Sequence, residues 1–174
     1  MLSKKMQDAL NAQINAEMYS AYLYLSMSAY FEAENLPGMA GWMTTQAQEE
    51  MVHAMKLYGY THEARGRVTL AAIEAPPTQW DSPLAAFEAA FAHEQKVTSL
   101  INNLVNLAID EKDHATNQML QWFVAEQVEE EAHADGIVQQ LKRIGDATQP
   151  LLMLDRELGA RPPLFSAPVA AADE

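Results

Sequence analysis

The chain reads as an all-α protein: four long helices forming a bundle of two hairpins joined by one long crossover, then a short fifth helix. Three observations predict this. Four long stretches repeat apolar residues at three- and four-residue spacing, no stretch sustains the alternation of a strand, and helix start and stop signals divide the 174 residues.

Ser3 is placed to cap a first helix over about residues 4–33. The turn Asn35-Leu36-Pro37-Gly38 follows, with Pro37 suited by its fixed φ to the first position of a second helix. That helix should reach about Arg65, where Gly66 supplies the left-handed residue that stops it. Residues 66–81 carry no helical period and include Pro76-Pro77, so they form a connection. Ser82-Pro83 opens a third helix that runs to about Ala108, and Asp110-Glu111-Lys112-Asp113 makes a short turn. The fourth helix closes at Lys142-Arg143-Ile144-Gly145, with bases against the negative end of its dipole and a glycine just beyond. Thr148 and Pro150 start a fifth helix that ends near Gly159. A domain of residues 1–160 is expected, with 161–174, rich in Pro and Ala, as a loose tail.

Helices of about 27–32 residues are rods of roughly 40–48 Å. Short turns make the first and second helices antiparallel, and likewise the third and fourth. The connection between the hairpins is long enough to run the length of the bundle.

Composition narrows the function. The formal charge is −13, from 24 acids against 11 bases, so binding of nucleic acid through a basic face is not expected. Acidic excess suits the handling of cations, and it equally aids solubility. There are no cysteines, which removes disulfides and thiolate metal sites. No segment reaches the roughly 18 consecutive apolar residues of a membrane span. The start, Met1-Leu2-Ser3-Lys4-Lys5-Met6-Gln7, lacks an apolar signal core, so the cytoplasm is the expected compartment.

Each apolar stripe is interrupted near its middle. The first reads Leu10, Ile14, Glu17, Ala21, Tyr24, Phe31; the second includes Met39, Met43, Glu50, His53, Leu57. The third reads Leu84, Phe87, Phe91, Glu94, Ile101, Leu104, and the fourth Leu120, Phe123, Gln127, Glu130, Ala134, Ile137, Leu141. A lone carboxylate in a core is costly, so it must be protonated, paired or bound to metal. The interruptions share a register: Glu17 and Glu94, Glu50 and Gln127, and His53 and Glu130 are each 77 residues apart. Two hairpins in this register bring the groups together near one pseudo-twofold axis. Di-iron carboxylate bundles use a Glu from each of two helices and Glu-x-x-His from each of the other two. Glu17, Glu94 and Glu50-Met51-Val52-His53 match that pattern; Gln127-Val128-Glu129-Glu130 departs from it. Four carboxylates remain, Glu17, Glu50, Glu94 and Glu130, whose charge balances two Fe(II) ions. Glu50 is the natural bridge between them. Carboxylate oxygens suit ferric iron and imidazole also holds Fe(II). A second Glu-x-x-His, Glu130 to His133, is set aside because the register makes Glu130 the equivalent of His53; His133 is read as a partly exposed helix histidine.

These motifs resemble the bacterial non-haem ferritins over about residues 1–160. The resemblance rests on Asn15, Glu17 and Tyr24, on Ala47-Gln48-Glu49-Glu50-Met51-Val52-His53, on His93-Glu94-Gln95, and on Leu120 to Glu131. It implies a ferritin-like bundle in which Glu17, Glu50 and His53 hold a first iron, and Glu50, Glu94 and Glu130 a second, with Gln127 bonding nearby. Tyr24 resembles the family's tyrosine that supplies an electron; its other reading is an aromatic core residue bonded to a carboxylate. A third iron site would correspond to Glu49, Glu126 and Glu129, sharing Glu130. Glu49 and Glu126 are again 77 residues apart, although an acidic solvated face gives the same pattern. The resemblance further implies oxidation of Fe(II) by dioxygen or hydrogen peroxide, and storage of ferric mineral in a cage of about 24 subunits whose fourfold axes the fifth helix lines.

Two rival readings are weighed against this. Met51 falls where the bacterioferritins carry a haem-ligating methionine, but those proteins keep Glu-x-x-His at the second pair, so haem is not expected. A non-enzymatic helical interaction module leaves the 77-residue coincidence unexplained.

Overall fold

The computed structural model describes residues 2–165. It contains α1 (Lys4–Ala33), α2 (Pro37–Glu63), α3 (Pro83–Asp110), α4 (His114–Ile144) and α5 (Thr148–Leu158), and no strand among the described residues. α1 packs along α2 and α3 along α4, α1 also meets α3, and α5 lies across α2 and the end of α4. This is the expected pair of hairpins with one crossover and a short fifth helix.

The caps act as read. Ser3 accepts from Met6 N at 3.0 Å and Ser82 from Ala85 N at 3.1 Å. Asp113, expected only as the last residue of a turn, also caps α4, accepting from Thr116 N at 3.1 Å. One helix end differs from expectation. The left-handed residue after α2 is Arg65 (φ 62°), not Gly66, and the same motif closes α1 at Asn35 (φ 58°) and α3 at Lys112 (φ 56°). In each case the next N–H reaches back to the final turn: Gly66 N to Thr61 O at 2.8 Å, Leu36 N to Phe31 O at 3.0 Å, Asp113 N to Ala108 O at 2.8 Å. Gly66 is needed for space instead. A Cβ there would stand 2.8 Å from Leu2 Cδ1 and 3.0 Å from Thr61.

Residues 64–82 return along α1, held by a polar ladder at helical spacing. Gln7 Oε1 accepts from Arg67 N at 2.8 Å, Asn11 accepts from Thr69 N at 2.9 Å and donates to Arg67 O at 3.0 Å, and Asn15 donates to Ala72 O at 3.1 Å. Ser26 donates to Pro77 O at 2.6 Å. A segment without regular structure thereby satisfies backbone groups against side chains.

Residues 161–165 lie against α2, where Gln48 Oε1 accepts from Leu164 N at 2.9 Å. The rest of the expected tail, 166–174, falls outside the described residues.

The interior has two apolar halves. One gathers Met6, Leu10, Ile14, Leu57, Val97, Ile101, Leu104, Leu120 and Phe123. The other gathers Tyr24, Met27, Phe31, Met39, Met43, Phe87, Ile137 and Leu141. Along every long helix the residues between these halves are polar: Glu17, Glu50 with His53, Glu94, and Gln127 with Glu130, all buried. The bundle places one polar layer at mid-length, walled by hydrocarbon at both ends.

Candidate metal centre

Helical spacing sets the layer. Glu50 and His53 stand one turn apart on α2 and face inward. Glu17 comes from the facing turn of α1, and Glu17, Glu50 and His53 each offer a ligand atom within 4.8 Å of the others. His53 Nδ1 lies 3.4 Å from Glu50 Oε2.

A hydrogen bond from the protein meets one of this trio's carboxylate oxygens. Gln13, one turn before Glu17, donates to Glu17 Oε1 at 2.9 Å. Glu17 Oε2 and Glu50 Oε2 are buried and have no hydrogen-bond partner. Buried carboxylate oxygens left this way cost stability unless a proton or a cation meets them. The two orphaned oxygens and the His53 nitrogen fit a divalent ion.

Around the trio the remaining carboxylates are held by neutral donors. Glu94 accepts from the Tyr24 hydroxyl and from Gln127 Nε2 at 3.1 Å. Glu130 accepts from Gln46 Nε2 at 2.7 Å. Among the described residues Glu50, Glu94 and Glu130 do not close into a cluster as tight as the first trio.

Electrostatics agree with a site suited to cations. Burial raises the Glu17 pKa from 4.5 to about 7, partly offset by Gln13. Burial, then the charges of Glu94, Glu17 and Glu130, hold Glu50 well above the usual carboxylate range. Burial also raises Glu94, and takes Glu130 to about 8 with Glu94 adding to it. His53 is pushed down to about 4, by burial first and Lys56 second, so its imidazole is neutral and free to ligate near pH 7. The metal-free layer keeps protons that a cation would replace.

The ferritin-like domain family matches residues 7–144, a span that runs from the first turn of α1 to the end of α4 and includes every residue of the layer. The chain belongs to the ferritin family. It is 49% identical over 161 residues to the bacterial non-heme ferritin of Bacteroides fragilis strain 638R, covering 92% of this chain and 100% of that one. The bacterial non-heme ferritin of Staphylococcus saprophyticus is 42% identical, covering 92% of this chain and 96% of its own. An open pore ferritin from the archaeon Archaeoglobus fulgidus superposes with a TM-score of 0.93 at 56% identity, covering 93% of this chain and 100% of that one.

In this ferritin subunit the acids assigned to a third position are spread. Glu126 joins His53 and Glu130 in a second cluster, with ligand atoms within 4.8 Å of one another. Glu49 instead pairs with Arg161 Nη2 at 2.6 Å, and Glu129 is exposed. Burial, then Glu129 and Glu49, raise the Glu126 carboxyl. His133 is exposed on α4, and Met51 is exposed on α2. Asn15, quoted for the resemblance, holds the crossover rather than the layer.

Sequence reasoning missed several members of the layer. Gln13 and Gln46 each stand four residues before a carboxylate of the stripe, Glu17 and Glu50, and both are buried. That spacing was the available signal. His93 pairs with Ser20 at 2.8 Å, and Trp122 sets its edge against His53 with centroids 5.3 Å apart. Arg161 carried no signal, since it arrives from beyond α5.

Proposed function

We propose that this subunit stores iron and that its buried layer is a ferroxidase centre. Fe(II) enters as substrate: a first ion on Glu17, Glu50 and His53, a second on Glu50, Glu94 and Glu130, with Glu50 between them. The observation that carries the reading is the pair of orphaned oxygens on Glu17 and Glu50 facing a neutral His53 inside an apolar bundle.

The roles follow from chemistry. Two Fe(II) ions each give one electron to dioxygen, which takes up two protons and leaves as hydrogen peroxide. The carboxylates exchange protons for iron, and oxygen donors favour the ferric product over the ferrous substrate. Gln127 and Tyr24 hold Glu94 in one orientation, and Gln46 does so for Glu130. Tyr24, whose hydroxyl bonds Glu94, stands where the resemblance puts the family's tyrosine beside the site. The two apolar halves exclude bulk water and fix the geometry. Ferric product passes by way of Glu49, Glu126 and Glu129 to a cavity formed by about 24 subunits, where it mineralises.

Stopped-flow oxidation of Fe(II) by wild type and Glu50→Ala tests this. The variant should lose the fast phase while keeping its helical circular dichroism. A wild-type rate in Glu50→Ala refutes the assignment.

A further inference from the structure

Where the chain returns to α2 after α5, it delivers one cation to the edge of the polar layer. The Arg161 guanidinium lies 5.2 Å from the Trp42 ring centroid. Nη2 donates to Glu49 Oε2 at 2.6 Å and Nη1 donates to Gln46 Oε1. Gln46 is fully buried, and its amide nitrogen donates in turn to Glu130 Oε2 at 2.7 Å. A single positive group therefore touches Glu49 directly and reaches Glu130 through one amide. Both carboxylates belong to the third position that the family resemblance implies, yet the tight cluster there unites His53, Glu126 and Glu130 and leaves Glu49 out.

We propose that Arg161 is a positioning residue that controls filling of the third metal position, by occupying Glu49 in the place of a metal ion. The guanidinium is permanently charged and its planar fork meets two acceptors at once, which an ammonium does less well. It also dictates which end of the Gln46 amide faces Glu130. A third ion has to displace this contact, so the third position fills after the first two and more weakly. The inference rests on the ferroxidase reading, because it presumes that Glu49 and Glu130 take metal.

Zn(II), which has no redox chemistry, provides the test. The metal-stripped full-length protein is titrated by calorimetry or equilibrium dialysis as wild type, Arg161→Gln and Arg161→Lys. Wild type should take two ions per subunit tightly and a third weakly. In Arg161→Gln the third should tighten by about tenfold or more with the first, on Glu17, Glu50 and His53, unchanged, since one adjacent positive charge is gone. Arg161→Lys, with the charge but not the fork, should fall between. A third-ion affinity in Arg161→Gln no higher than wild type overturns the inference and leaves the two-ion centre standing. Weakening of all positions together would mark a structural role, which also overturns it. Failure of wild type to bind the first two ions removes the ferroxidase reading itself.

Discussion

Replacing Glu17 with Gln should stabilise the metal-free subunit at alkaline pH and abolish its stabilisation by metal. Glu17 is buried, and its carboxyl holds a proton up to about pH 7 in the folded chain against 4.5 when exposed. The folded state therefore binds that proton more tightly than the unfolded state. Its contribution to stability is fully present below pH 4.5 and is lost as pH rises through 7. At about 1.4 kcal/mol for each pH unit of separation, ionising Glu17 costs about 3 kcal/mol by pH 8. Glutamine keeps the shape and can still accept from Gln13, but it has no charge to bury. For a chain of this size that corresponds to a melting temperature roughly 6–12 °C higher in Glu17→Gln at pH 8, with the gap closing toward pH 4.5. The two lowered histidines act in the other direction: His53 and His93, both held near 4, contribute stability above pH 6.5 that is lost as pH falls toward 4. Both proteins share that contribution, so it cancels in the difference. The assay is thermal unfolding of the two proteins at equal subunit concentration with chelator from pH 4.5 to 8, then with Zn(II). Zinc should reverse the ranking, because only the wild-type trio retains its third ligand. A gap that does not change with pH, or no reversal by zinc, refutes the argument that a cation offsets buried charge here.

Proton release should accompany metal binding: at pH 6, where Glu17, Glu50 and Glu130 hold protons, Zn(II) should release about two or more per subunit, measured by calorimetry in buffers of different ionisation enthalpy. Binding without proton release counts against the protonated layer. Gly38→Ala should cost about 1–3 kcal/mol and speed proteolysis around α5, because its Cβ would stand 1.7 Å from the Asp155 carbonyl oxygen and disturb the Asp155 cap on Met39 N. An unchanged digestion pattern would contradict that packing. Gly136→Ala, on an exposed turn of α4 with nothing within 4 Å of the added atom, should instead raise stability by about 0.5–1 kcal/mol in the same melts. Gln46→Leu should retain the fold but lower the affinity for the second Zn(II), since Glu130 loses its donor and Arg161 an acceptor. Unaltered zinc titrations would show that the amide does not orient Glu130.

Much of the layer was legible because it breaks a strong pattern. A carboxylate at a stripe position between Ile14 and Ala21, or between Phe91 and Ile101, is conspicuous against hydrocarbon, and the 77-residue register ties the four breaks together. The same register carries partial burial, since Glu49 and Glu126 are both half-buried. Gln13 and Gln46 were overlooked because an uncharged amide at a stripe position announces no cost by itself. Its importance depends on a neighbour across the bundle, and for Gln46 that neighbour is Glu130 on α4.

Local rules, then, determined the helices, their caps and the depth at which polar groups interrupt each stripe, because periodicity and capping act within a few residues of chain. Only the tertiary structure decided that Asp155 caps α2 across Gly38 and that Arg161 claims Glu49. The physical reason is reach. These contacts depend on where distant segments come to rest, and no spacing along the chain encodes the position of a residue that arrives from more than a hundred residues away.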